Sequence, residues 1–181
     1  KPIRKALVAL LLNTKDVHVE FPTRVVLNQV TLGINTGDRI GIVGKNGDGK
    51  STLLSVLAGD LTPNQGEVTR QSNVTVGVLK QTDELDENAT VAYALVGDAA
   101  EYTWASNRTT REIVDELIGD IDMDTRVSEL SGGQRRRLDL AQLLIGDWDV
   151  LMLDEPTNHL DVHSSAWLAQ HLRKRWSKNA G

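Results

Sequence analysis

The chain has 181 residues, 40% hydrophobic and 25% charged, which suits one soluble globular domain with a sizeable core. A net charge of −5 argues against binding nucleic acid through a generally basic surface, and leaves room only for a local basic patch. Cysteine is absent, which excludes disulfides and thiolate metal sites and fits a reducing compartment, and the four histidines (His18, His159, His163, His171) lack metal-ligand spacing.

At the N-terminus, basic residues precede the apolar run Ala6–Leu12. No small-residue cleavage site follows, and the run is too short to cross a bilayer, so a first apolar segment is expected and direct membrane insertion is not. A start at Lys1 rather than Met is compatible with a fragment. Residues Asp16–Phe21 alternate polar and apolar, which predicts a half-buried strand, and Val25–Ile34 continues in that style. The run "RIGIVG" at 39–44 predicts a buried parallel strand leading into glycines, with a helix over 51–59 behind it. "PNQG" at 63–66 is a turn, and "EVTR" and "VTVGVLK" read as two strands. From Asp83 to Glu129 the chain turns acidic, and Ile113, Val114, Leu117 and Ile118 share one helical face. A helix over 133–145 follows, so residues 83–145 are expected to form a helical subdomain. "DVLMLDE" is a second buried strand, and Ser164–Trp176 a last helix. The pattern is α/β with an antiparallel start and a helical insert.

"GKNGDGKS" at 44–51 fits G-x-x-x-x-G-K-[ST] between a strand and a helix. Gly44, Gly47 and Gly49 let the backbone turn its N–H groups toward phosphates. The helix beginning near Lys50 adds its positive end. Lys50 would reach the β- and γ-phosphates of ATP, Ser51 would bind Mg²⁺, and Thr52 would touch the phosphates. Asp48 is unexpected here. Two like charges about 4 Å apart repel by roughly 4 kcal/mol at an effective dielectric of about 20, so its side chain is expected to face outward. "VLMLDE" at 150–155 is four apolar residues ending in two carboxylates. A strand with buried sides and an exposed end would put Asp154 at the sheet's carboxyl edge, suited to Mg²⁺ through water, with Glu155 one step on to polarise an attacking water.

A second glycine-rich helix start, "LSGGQRRR", lies at 130–137. Ser131, the amides of Gly132 and Gly133, and the helix dipole make an anion site. One chain cannot easily aim both loops at one phosphate, so the second is expected to serve another domain's nucleotide.

The ordered set "GKNGDGKST", "VLKQ", "LSGGQ" and "LMLDEPTNHLD" resembles an ATP-binding-cassette (ABC) ATPase domain, from about Phe21 to Asp161. The resemblance implies a P-loop NTPase of the ABC type: a mixed core sheet, an antiparallel β-subdomain and a helical subdomain. It also implies two cassettes that clamp two ATPs head to tail, so residues Ser131, Gly132, Gly133 and Gln134 would contact the γ-phosphate held by a partner cassette. By position, Asn46 belongs to the phosphate loop. Phe21 falls where the family stacks an aromatic on adenine; a core phenylalanine at a strand end is the alternative. Gln81 matches the glutamine that senses Mg²⁺ and the γ-phosphate, against an ordinary exposed glutamine. Asp161 is the carboxylate of a loop, Pro156–Asp161, that crosses the cassette interface.

"NHLD" and the run Arg135, Arg136, Arg137 resemble the ABC-F group, soluble twin-cassette ATPases acting on ribosomes, with wording similar to Uup-like members and their first cassette. The arginines either form a solvated or acid-paired face, with Asp139 or Glu129, or touch RNA or a partner cassette. The expected function is ATP hydrolysis driving cassette closure on a ribosome, in the cytoplasm, with ribosome or RNA contacts made outside this chain. The alternative is the nucleotide-binding subunit of a membrane transporter. The family's switch histidine belongs about thirty residues beyond Glu155, where this chain ends. Residues 1–181 are therefore expected to be one incomplete cassette with weak or no hydrolysis and one strand edge left exposed.

Overall fold

The computed structural model describes residues 9–97 and 107–175. The last residues of the apolar run Ala6–Leu12 fall inside the first strand, whereas its beginning, the stretch 98–106 within the expected helical subdomain, and Trp176 lie outside the described residues. The chain divides into two compact units. The first comprises Lys1–Val76, Trp148–Asp154 and Arg173–Gly181; the second comprises Gly77–Asp147 and Glu155–Leu172.

In the first unit, β1 (Leu10–Phe21) pairs antiparallel with β2 (Arg24–Asn35) on one side and with β3 (Gln65–Arg70) on the other, giving the order β2-β1-β3. Alternation decides which face is inward. Leu12, Val17 and Val19 are buried, and the central residues of β1 bulge near Asp16, whose φ is +50°. Buried Thr14 satisfies itself within the hairpin: its Oγ1 donates to the Val30 carbonyl and accepts the Leu32 N–H. Helix α1 (Lys50–Ala58) buries Val56 in a cluster with Val17, Val19 and Leu27, and Leu53 and Val68 pack against it. Each such side chain contributes roughly 1.5–3 kcal/mol when fully buried.

The segment 39–44 is a correction to the sequence reading. It forms no strand ladder, and Ile40 and Ile42 are partly exposed while Val43 is 97% exposed. Apolar composition gives a segment the means to be buried in a sheet, but a strand needs neighbours, and no described strand pairs with this one.

In the second unit, α2 (Val91–Val96), α3 (Arg108–Ile118) and α4 (Gly132–Ile145) form a helical layer in which α4 packs on both α2 and α3. Asn107 caps α3 by accepting the N–H groups of Thr109 and Thr110, and Thr90 caps α2 through the Tyr93 N–H. Ile113, Val114, Leu117 and Ile118 are all buried, as their spacing predicts. They meet a core that includes Val91, Leu138, Ala141 and Leu144. The short strands β4 (Val76–Leu79) and β5 (Val150–Leu153) and the helix α5 (Val162–Arg175) complete the described elements, together with a 3-10 turn at Val127–Glu129.

Candidate functional site

The residues singled out from sequence divide between the units. Phe21, the loop 44–52 and Asp154 belong to the first; Gln81, Ser131–Gln134, Glu155 and Asp161 belong to the second.

The phosphate loop is exposed from Gly44 to Asp48 and enters α1 at Lys50. Gly47 and Gly49 hold φ +89° and +91°, the left-handed region that glycine enters without steric cost. At Gly49 space matters as well, because an added Cβ would lie 2.6 Å from Val26 Cγ1. Strand β2 therefore backs directly onto the loop. Gly44 is a partial correction: its φ is not positive, and its constraint is the Asp48 carboxylate, 3.1 Å from where a Cβ would stand. Gly49 is the N-cap of α1, and no side chain caps the helix. The N-cap residue thus offers no side-chain acceptor to the positive end of α1.

Lys50 folds over the loop, its Nζ donating to the carbonyls of Gly44 and Lys45, both at 2.9 Å. The ammonium is thus gathered over the loop by two of its own carbonyls. Asp48 is exposed, and its Oδ2 accepts the Lys45 N–H at 2.7 Å, bending the carboxylate back on its own loop. Asn46 is exposed within the turn, and Ser51 and Thr52 occupy the first turn of α1. Phe21 is 47% exposed at the hairpin tip, which does not fit the core-phenylalanine alternative.

Asp154 departs from the exposed end expected of it: only 7% of its surface is accessible, one residue beyond β5. Hard oxygens, a hydroxyl at Ser51 and a buried carboxylate at Asp154, are the donor types that suit Mg²⁺. Glu155 is exposed with φ +47°, and its Oε2 accepts the Asn158 Nδ2 at 2.7 Å, which orients the carboxylate. Gln81 is exposed.

The second glycine-rich helix start, at 130–137, is built differently. Ser131 Oγ accepts the Gln134 N–H, and Gln134 Oε1 accepts the Ser131 N–H, a reciprocal capping box. Each of the three arginines behind it is engaged inside the second unit. Arg135 pairs with Asp83 at 2.7 Å and Glu87 at 3.2 Å; Arg137 pairs with Asp120 at 2.7 Å and donates to the Leu117 carbonyl. Arg136 donates to the Lys80 carbonyl and lies 3.4 Å from Asp139. Of the two expected acids only Asp139 takes part, not Glu129. The guanidinium groups hold Asp83 and Asp120 below the usual carboxylate range. Asp139 goes the other way, to about 6, because burial outweighs the pull of Arg136 and because the nearby acids Asp83 and Glu84 oppose its charge.

The helix start at Ser131–Gln134 and the 156–161 loop are neighbours: a Cβ at Gly133 would lie 3.8 Å from His159 Nδ1. Asp161 caps α5 by accepting the Ser164 N–H at 2.7 Å, which holds its carboxyl below the usual range. Sequence reasoning missed Arg24, whose Nη2 donates to the Gly47 carbonyl at 2.9 Å, and no local pattern marks it.

A family profile described as "ABC transporter" matches residues 27–158. The energy-dependent translational throttle protein EttA of Mycobacterium tuberculosis (strain H37Rv) is 36% identical over 87% of this chain and 35% of its own length. The Nod factor export ATP-binding protein I of Bradyrhizobium diazoefficiens is also 36% identical, over 87% of this chain and 56% of its own. A solved complex of archaeal ribosomal stalk protein aP1 with archaeal ribosome recycling factor aABCE1 superposes with a TM-score of 0.80 at 28% identity, covering 99% of this chain and 34% of that one. The chain thus spans between about a third and somewhat more than half of the length of these three proteins.

Proposed function

Because this chain belongs to the ABC transporter family, we propose that it is one ATP-binding and ATP-hydrolysing cassette of a soluble, cytoplasmic ABC-F type protein that acts on the ribosome. The observation that carries the ATPase part is the loop 44–52, with an uncapped helix start and the Lys50 ammonium gathered over it. In this reading the loop amides and Lys50 hold the phosphates, Ser51, Asp154 and Gln81 hold Mg²⁺, and Phe21 stacks on adenine. Mg²⁺ neutralises charge on the phosphates when bound. Glu155, oriented by Asn158, takes the proton of the attacking water. Ser131–Gln134 and Asp161, which share the second unit, complete the nucleotide site of a second cassette. ATP then draws two cassettes together, and hydrolysis releases them.

The ribosomal part is supported by "NHLD", by the arginine run and by the likeness to EttA. The arginines act in it as internal struts of the helical layer, with ribosome or RNA contacts made by regions beyond this chain. Equal identity to the Nod factor export protein favours a second reading, an ATPase subunit of a transporter. No helix among the described residues is long and apolar enough to cross a membrane, which is compatible with both. The test is co-sedimentation of the full-length protein carrying Glu155→Gln with ribosomes, with ATP and without. ATP-dependent retention is expected; equal recovery in both conditions would count against the ribosomal reading.

A further inference from the structure

The hairpin tip does more than present Phe21. Phe21 and Arg24 are direct partners across the β1–β2 turn, so their side chains leave the ribbon on the same face. From there the Arg24 guanidinium reaches the phosphate loop 23 residues away: Nη2 donates to the Gly47 carbonyl at 2.9 Å, and both terminal nitrogens lie 3.6–3.7 Å from where a Gly47 Cβ would stand. Gly47 holds φ +89° and carries no side chain, so nothing in its own residue resists rotation of the 47–48 peptide.

A trans peptide aims its C=O and N–H in opposite directions. With the Gly47 carbonyl drawn out to Arg24, the Asp48 N–H is aimed across the loop, where it meets the Lys45 carbonyl at 3.1 Å. If that peptide flipped, the Asp48 N–H would lose the Lys45 carbonyl and the turn Lys45–Asp48 of the loop would open. Among the described residues no carboxylate forms an ion pair with Arg24, so the guanidinium's contact with the loop is through the Gly47 carbonyl.

We propose that Arg24 is a positioning residue of the nucleotide site: it holds the 47–48 peptide in the orientation that closes the Lys45–Asp48 turn of the loop, and it adds a cation beside that loop. This rests on the ATP-binding reading of residues 44–52. It is tested with Arg24→Ala and Arg24→Lys in two measurements. In the nucleotide-free protein, amide exchange at Asp48 and Gly49 is expected to quicken about fivefold to tenfold in Arg24→Ala and to return within about threefold of wild type in Arg24→Lys. ATP and ADP affinities are expected to fall by a similar factor in Arg24→Ala, with the same rescue by lysine and a melting temperature within about 2 °C of wild type. Unchanged exchange in Arg24→Ala, or an affinity loss that lysine does not repair, overturns the inference while the wild type still binds ATP. A wild-type protein that binds neither nucleotide overturns the ATP-binding reading instead, and with it any nucleotide role for Arg24, even where exchange does depend on the arginine.

Discussion

The helix starting at Lys50 follows a glycine-rich loop and the helix starting at Gly132 opens on two glycines, and their N-caps differ in kind. At α1 the N-cap is a left-handed glycine with no side-chain acceptor, the loop is exposed, and the Lys50 ammonium rests on two backbone carbonyls. At α4 a Ser131–Gln134 box satisfies the first donors, and each of the three arginines that follow has acidic or backbone partners within its own unit. An end left uncapped is fit to receive an anion; an end already capped and braced is fit to be presented as a fixed shape. Under the proposed function, this contrast is what lets two similar motifs in one chain take different parts in one kind of site.

The contrast is sharpest at the glycines. Gly49→Ala forces a left-handed alanine and a methyl 2.6 Å from Val26 Cγ1. A loss of roughly 2–4 kcal/mol is expected in denaturant melts, with ATP affinity reduced more than about tenfold. Gly132→Ala meets no atom within 4 Å and no positive φ, so its melt is expected to stay within about 0.5 kcal/mol. Equal effects would break the comparison.

Next comes the bracing. Arg135→Ala leaves Asp83, largely shielded from solvent, without its guanidinium, and is expected to cost roughly 1–3 kcal/mol in urea unfolding. Arg108→Ala removes an exposed pair with Glu112 one turn away and is expected to cost about 0.5 kcal/mol or less.

The acids of the same network give opposite pH signatures. Asp139 has a folded pKa raised to about 6, so its favourable contribution is full below its unfolded value near 4 and is lost as pH rises through 6. Asp83 has a lowered pKa, so its contribution is full above about 4 and is lost as pH falls further. Asp139→Asn is therefore expected to flatten the decline between about pH 4 and 6 and to raise stability at pH 7 by about 1–2 kcal/mol, read from urea midpoints across pH. A midpoint lowered at pH 7 would show that pairing with Arg136 outweighs burial.

A small effect on nucleotide affinity is expected at Asp48. Asp48→Asn keeps an acceptor for the Lys45 N–H and removes an exposed negative charge, so ATP affinity should rise about threefold at low salt and less at high salt. A fall in affinity would mean that the charge itself organises the loop.

What can be read from the sequence is what is local. The loop 44–52 is legible because its chemistry fixes residue types along one contiguous stretch, and the buried face of α3 because 3.6-residue spacing is a local property. The segment 39–44 misleads because composition says nothing of whether a neighbouring strand is there to pair with. The fate of the arginines is undecidable from sequence because their partners Asp83 and Asp120 lie 52 and 17 residues away. Arg24 carries no signal at all: a single arginine opening a strand looks ordinary until the hairpin is folded against the loop.

The central claim is that the first loop seats this chain's own nucleotide while the second serves another's. Titration of the dilute, monomeric chain with a fluorescent ATP analogue tests it most directly, comparing wild type, Lys50→Ala and Ser131→Ala. Lys50→Ala is expected to weaken binding roughly 10- to 100-fold, and Ser131→Ala to leave it within about twofold. If Ser131→Ala costs the lone chain as much as Lys50→Ala, or if Lys50→Ala costs nothing, the division of labour between the two helix starts is contradicted.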